Sequence, residues 1–281
     1  MYKYLIILTL FTFVSCNTNK ALHNLDDKNT YKVALVSTNY GNFKLKLFNK
    51  TPLHRDNFIK LANQNYYDSL LFHRVIKNFM IQGGDPESKN AKKDAILGNG
   101  GPDYTIPAEF DTSLINKKGA LCAAREGDNV NPEKRSSGSQ FYIVTGRKFT
   151  DKELDILENR IEMQRKNSFI ISFINRPENS KLKHKIDSLK KSRNTKELNI
   201  LSEEINKMIK PEYDSIPKFK ISPKHREIYK TVGGAPHLDG SYTVFGEVIE
   251  GMNVVDSISN VKTGKSDRPI KDVIFSIKII E

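Results

Sequence analysis

The run Phe72-His73-Arg74-Val75-Ile76-Lys77-Asn78-Phe79-Met80-Ile81-Gln82-Gly83-Gly84-Asp85 constrains this chain more than any other stretch. It joins one guanidinium to imidazole and amide hydrogen-bonding groups and to an apolar trio, Phe72, Phe79 and Met80, and it stops at two glycines. Side chains alternate across a β-strand, so a strand through this run sets Phe72, Arg74 and Ile76 on one side and His73 and Val75 on the other. Arg74 is thereby expected among apolar neighbours. A cation so placed needs a partner, because burying an unpaired charge is costly. Taken alone, the run is satisfied by a carboxylate or by backbone carbonyls at a sheet edge; with its neighbours it offers a polar hook beside a greasy patch.

With 38% hydrophobic and 28% charged residues, the 281-residue chain reads as soluble and globular, long enough for one large domain or two small ones. The net charge of +12 does not point to nucleic acid, because the lysines are scattered and no aromatic platform alternates with them. A basic surface near anionic lipid headgroups is the milder explanation. At the N-terminus Lys3 precedes an apolar run, Tyr4 to Val14, shorter than the ~20 residues of a membrane helix. Residues 1–15 therefore read as a secretory signal. The run ends Phe13-Val14-Ser15-Cys16, which looks like a bacterial lipoprotein signal with Cys16 as the acylated N-terminus; an ordinary signal with a chance cysteine is the alternative. Lipid on Cys16 would hold the protein at a membrane surface without spanning it. Residues 16–29 are polar and aperiodic, a tether. The remaining cysteine, Cys122, lies in the apolar run Ala120 to Ala124 and reads as a small core residue, so no internal disulfide is expected.

From Tyr31 the pattern alternates through Val33 and Leu35, turns at Asn39-Tyr40-Gly41-Asn42, and resumes with Phe43, Leu45 and Leu47 against Lys44 and Lys46, predicting a β-hairpin. Thr51-Pro52 supplies an N-cap and a first-turn proline for a helix through Phe58, Leu61 and Ala62. Gly98-Asn99-Gly100-Gly101 is a turn and not a phosphate loop, lacking the Lys-Ser/Thr that would follow. Thr150-Asp151-Lys152-Glu153 has capping-box form and opens a helix with Leu154, Leu157 and Ile161. Two further apolar stripes follow: Leu182, Ile186 and Leu189, then Leu198, Leu201, Ile205 and Met208. They predict a helical hairpin, ended by Pro211, Pro217 and Pro223. Gly251 to Asp256 with Ile258 reads as another helix, and Val273 to Ile280 as a closing strand.

Five collinear blocks resemble the cyclophilin family of peptidyl-prolyl isomerases: residues 72–86; Gly100-Gly101-Pro102 with Tyr104 to Phe110; Gly119-Ala120-Leu121; Ser137-Gly138-Ser139-Gln140-Phe141-Tyr142-Ile143; and Leu238-Asp239-Gly240 with Val244-Phe245-Gly246. The resemblance implies a mostly β fold, an eight-stranded antiparallel barrel capped by two helices, carried by residues 30–150 and 226–281. Residues 151–225 would be a helical insertion, either a tolerated surface excursion or a lid or partner-binding arm. It further implies that Arg74 is catalytic and that Gln82 and Gln140 position it and the substrate backbone. Phe79, Met80, Tyr142 and Leu238 would hold the proline ring, His73 would be a shape or hydrogen-bonding residue, and Ala124 and Arg125 would belong to an edge strand that pairs with the peptide. Departures from the family pattern are Arg125 for asparagine, Tyr142 for phenylalanine, Tyr242 for histidine, His237 for tryptophan, and Lys77-Asn78 for a Pro-Gly turn. The resemblance implies no metal, nucleotide or other cofactor. The expected partners are proline-containing peptides and unfolded exported proteins, met by a monomer anchored to a membrane through Cys16 in the bacterial envelope.

Overall fold

A computed structural model describes residues 31–281; the expected signal segment 1–15, Cys16 and the expected tether 16–29 lie outside the described residues. Strands β1 (Val33–Thr38) and β2 (Gly41–Leu47) form the expected antiparallel hairpin, but the inward phase of β1 is opposite to the expected one. Cross-strand pairing sets Val36 against Phe43 and Ala34 against Leu45, so Val36 and Ala34 face the core and Leu35 is only half-buried. The larger partners on β2 decide the face, because a one-residue shift would turn Phe43 and Leu45 outward.

Helix α1 (Pro52–Asn63) starts where Thr51-Pro52 predicts, yet the Thr51 hydroxyl caps nothing. Glu109, distant in sequence, does that work. Its carboxylate accepts from the backbone N–H of Leu53 at 3.1 Å and of His54 at 3.0 Å, and from His54 Nδ1 at 2.6 Å. A carboxylate at a helix N-terminus satisfies orphan donors and meets the positive end of the helix dipole.

The barrel strands that follow are β3 (Leu70–Leu71), β4 (Arg74–Ile76), β5 (Met80–Gly83), β7 (Ala120–Ala123), β9 (Phe141–Val144), β10 (Val244–Glu250) and β11 (Ile274–Ile279); β6 (Thr105–Ile106) and β8 (Ser136–Ser137) form a separate pair. All nine barrel strands pair antiparallel in the order β3-β11-β1-β2-β10-β7-β9-β5-β4. The two end strands are consecutive in the chain, separated only by Phe72 and His73, so the sheet curls until its edges meet. The expected eight-stranded barrel is thus present with one strand broken in two. The break has a cause: Phe72 turns fully into the core, its ring 4.5 Å from that of Phe275, and so does not share a side with Arg74 as strict alternation predicts. Phe58, Tyr67, Phe72, Phe141 and Phe275 build the centre of the barrel, closed by Leu61 and Ala62 of α1 and by Val255 and Ile258 of α6 (Met252–Ser259).

The insertion is larger than a hairpin. The capping box at Thr150 and Glu153 opens α2 (Asp151–Ile174), followed by α3 (Ser180–Lys191), α4 (Thr195–Asp214) and α5 (Pro223–Thr231). Ile209 is buried in place of the expected Met208, which is 55% exposed. Pro211 lies inside α4 instead of ending it, and Pro223 begins a helix, with the Ser222 hydroxyl accepting from the His225 N–H at 3.2 Å. Proline is tolerated at the first position of a helix, where the N–H has no intrahelical partner to lose, whereas Pro211 in the last turn of α4 forgoes the bond to the carbonyl four residues back. The expected 225/226 boundary therefore falls inside α5.

Candidate active site

Period-2 alternation lets the same strands serve two cores. Val75, Ile81, Leu121 and Ile143 face the barrel interior, while their neighbours Met80, Cys122, Tyr142 and Val144 face outward into a second apolar cluster with Leu238 and Val244. Register then aligns one row of side chains on that outer face. Arg74 pairs with Gln82, Gln82 with Tyr142, Tyr142 with Cys122, and Cys122 with Val244. The five members come from five different strands, and only pairing brings them together.

Arg74, Phe79, Met80, Gln82, Ala124, Arg125, Tyr142, Leu238 and Tyr242 line one cleft of about 130 Å³. Arg74 stands at its mouth with its side chain 43% exposed; its Nε donates to Asp267 Oδ2 and its Nη1 to Gln82 Oε1, both at 3.4 Å. Both bonds are long, so the guanidinium keeps donor capacity toward the cleft. Gln82 Nε2 donates to Gln140 Oε1 at 3.1 Å, and Gln140 Nε2 donates to the carbonyls of Gly98 at 2.9 Å and Gly100 at 2.7 Å. A relay of amides thus fixes the arginine to a loop. The paired glycines at the end of the run make this possible: a Cβ at Gly84, where φ is +94°, would stand 2.3 Å from the Ser139 carbonyl. Any side chain there would force apart the two segments that carry Gln82 and Gln140.

The remaining expected site residues sit around the cleft. Arg125 is folded back, its guanidinium 4.5 Å from the centre of the Tyr242 ring and its Nε donating to the Ser241 carbonyl at 2.8 Å, so it forms wall instead of reaching outward. Ala124 lies just past β7, with its N–H donating to Gln140 and its carbonyl accepting from Ser137. His237 is on the rim, its ring centroid 5.4 Å from that of Phe79. His73 is 3% exposed and lies on the other side of Arg74, lining an adjoining cavity of about 640 Å³ between residues 93–99 and 265–268. Burial lowers its pKa to about 4, against the pull of the Asp85 carboxylate and the Leu71 carbonyl, and neither ring nitrogen meets hydrogen-bond geometry. It is neutral at neutral pH.

Three polar residues beneath the cleft were not singled out from sequence for any role. Tyr142 donates to Asn116 Oδ1 at 2.9 Å, Asn116 Nδ2 donates to Asp239 Oδ1 at 3.0 Å, and Tyr229 of α5 donates to Asp239 Oδ2 at 2.6 Å. Burial raises the Asp239 pKa, opposed by those donors. Asp239 lay in a motif block and so carried a signal; Asn116 and Tyr229 carried none. Asp267, the ion-pair partner of Arg74, was equally silent. Cys122 is fully buried with its thiol pushed far up by burial and donating to Asn116 Oδ1 at 3.3 Å, which removes it as a nucleophile. Among the described residues no cluster of acidic, histidine and cysteine side chains is arranged to hold a metal ion.

The fold and site define a class: an antiparallel barrel that presents an apolar slot beside a positioned guanidinium. The family model described as cyclophilin type peptidyl-prolyl cis-trans isomerase matches residues 33–161 and 224–279. The chain belongs to that family and is a peptidyl-prolyl cis-trans isomerase. A Staphylococcus aureus (strain USA300) protein named "Putative peptidyl-prolyl cis-trans isomerase" is 29% identical over 242 residues, 86% of this chain and 87% of its own length. That span runs across the insertion. A Streptococcus pyogenes protein named "Putative bifunctional phosphatase/peptidyl-prolyl cis-trans isomerase" is 30% identical over 85% of this chain but only 37% of its own. A crystal structure of a Cryptosporidium parvum cyclophilin type isomerase superposes with a TM-score of 0.51 over 90% of this chain and 99% of that one; at 21% identity the likeness is one of fold.

Proposed function

We propose that Arg74 is the catalytic group and that the protein assists the folding of exported proteins from a lipid anchor on Cys16. Rotation about an X-Pro bond faces a barrier of ~18–20 kcal/mol because the nitrogen lone pair is delocalised into the carbonyl. As the bond twists, the lone pair localises on nitrogen and becomes an acceptor. A guanidinium donating toward that nitrogen, and holding the carbonyl that follows it, binds the twisted state more strongly than either planar isomer. Phe79, Met80, Tyr142 and Leu238 would grip the ring, with Tyr242 and Arg125 as the facing wall. Gln82 and Gln140 hold the arginine, and His73 stays neutral beside it. His237 extends the rim and Ala124 the floor. The observation that carries this reading is the cross-strand row that sets Arg74 and Gln82 against Tyr142 at the edge of an apolar slot.

The chemistry calls for no cofactor. The substrate class is proline-containing segments of unfolded chains, and the expected state is a monomer. A protease-coupled assay on an Ala-Pro tetrapeptide tests the catalytic role: Arg74→Ala lowers kcat/KM by ~10² or more with the fold intact by circular dichroism. Turnover indistinguishable from the uncatalysed rate in the unaltered protein would instead make it a binding module. Mass spectrometry of the mature N-terminus tests the anchor, with a diacylated or triacylated Cys16 expected.

A further inference from the structure

The proline slot does not end at Phe79. Beyond the stacked His237 ring opens a groove of about 530 Å³ whose far wall is the insertion helix α2, through Ile156, Leu157, Arg160, Ile161 and Gln164. From this groove α2 continues outward with Ile156, Arg160, Met163, Asn167 and Ile171, spaced four, three, four and four residues apart and so aligned along one face. Ile156 is 51%, Met163 66% and Ile171 60% exposed. Other faces of the same helix are occupied: Leu154 and Leu157 pack on Ile115 and Tyr229 at the barrel side, and Phe169 and Phe173 pack with residues of α3 and α4, while Ile170, seven residues after Met163, also packs there and bounds the stripe along one side. The open stripe is about 22 Å long at ~1.5 Å per residue, a length covered by about six or seven residues of extended chain.

We propose that this groove and stripe form a docking track for apolar residues of the same unfolded polypeptide whose proline occupies the slot. The occupant follows from continuity, since His237 is both the end wall of the groove and the ring stacked on the Phe79 side of the slot. A chain leaving the slot past Phe79 meets Ile156, Ile161, Met163 and Ile171 as apolar contacts, interspersed with the polar Arg160, Gln164 and Asn167; a tetrapeptide is too short to use them. Docking raises the effective concentration of the proline segment at the slot and so acts on protein substrates alone. The proposal rests on the reading that the Arg74–Leu238 cleft is the site of isomerisation.

The test is the triple variant Ile156→Gln, Met163→Gln, Ile171→Gln in the full chain, glutamine being a helix former at exposed positions. Two substrates are compared: an Ala-Pro tetrapeptide, and a reduced and alkylated small protein whose refolding is limited by one proline. The expected result is tetrapeptide kcat/KM within about twofold of the unaltered protein and catalysed refolding slowed at least about fivefold through KM. Equal effects on both substrates, or no effect on refolding, overturn the proposal. So does a dimer by light scattering that the triple variant dissolves, which would make the stripe a contact between copies. If the unaltered protein turns over no tetrapeptide, it is the cleft reading that fails, and docking is then read directly as fluorescence-anisotropy binding of the alkylated protein, expected to be lost in the triple variant.

Discussion

The root and the tip of the helical insertion are built differently. At the root, Leu154, Ile221 and Tyr229 pack on Ile115 of the barrel, and the buried Glu158 accepts from Lys220 Nζ at 2.7 Å, the Ile221 N–H at 3.0 Å and Arg226 Nη1 at 3.0 Å. At the tip, Ile186, Leu201, Ile205 and Ile209 form a core of their own with Phe169 and Phe173, sharing no residue with the barrel. The root is therefore part of the enzyme's body, reaching through Tyr229 and Asp239 to the residues under Tyr142, whereas the tip is a separately packed attachment. Length of insertion does not tell which part is dispensable; shared core does. The family match draws the same line, resuming at 224 and stopping at 161 instead of at the start of α2.

Deletion is the harshest way to break this contrast. Removing 163–216 and bridging with a short glycine linker is feasible because Glu162 Oε2 and the Phe219 N–H are 3.0 Å apart, and tetrapeptide kcat/KM is expected to stay within about twofold. Removing 151–225 strips Leu154 and Ile221 from the barrel; at ~2–5 kcal/mol for each large buried aliphatic lost, the product is expected to be insoluble or to melt far below the unaltered protein in calorimetry. Equal melting temperatures for the two deletions would erase the distinction.

A second effect belongs to the barrel. His73 has a pKa of about 4 in the fold and an ordinary value of 6.5 when exposed. Between those pH values the unfolded chain binds a proton that the folded one does not, so stability is complete above pH 6.5 and falls as pH drops toward 4. The full shift corresponds to up to about 3 kcal/mol, and urea titrations should show a shallower loss over this window in His73→Gln. An identical slope would mean that His54, whose pKa burial also lowers, dominates.

The smallest effect sharpens the link from root to slot. Tyr229→Phe leaves one oxygen of the half-buried Asp239 without its donor and is expected to cost ~1–3 kcal/mol in denaturant unfolding. Because Asn116 still donates to the other oxygen, tetrapeptide kcat should fall less than about threefold. A larger fall with unchanged stability would assign the network a direct part in shaping the slot.

Much of the architecture was legible without coordinates. Alternation in β2, the capping box at Thr150 and the glycines at 83 and 84 are local signals, each specifying backbone geometry within a few residues. Where local signals misled, a distant partner intervened: Phe43 and Leu45 set the phase of β1, the aromatic core drew Phe72 out of strand alternation, and Glu109 took the capping role from Thr51. The residues of the cleft were named from the order of motif blocks, which marks chemistry but says nothing of what stands beside it.

By itself, then, the sequence determined the β1–β2 hairpin, the starts of α1 and α2 and the placing of a guanidinium in a run with apolar side chains, because side-chain period and turn chemistry act over short separations. Only tertiary structure decided that Asp267 would meet Arg74, that Tyr229 would reach Asp239, and that α2 would run outward from His237. Those are contacts across long separations, fixed by strand register and by which helix face finds a core, and no local rule encodes either.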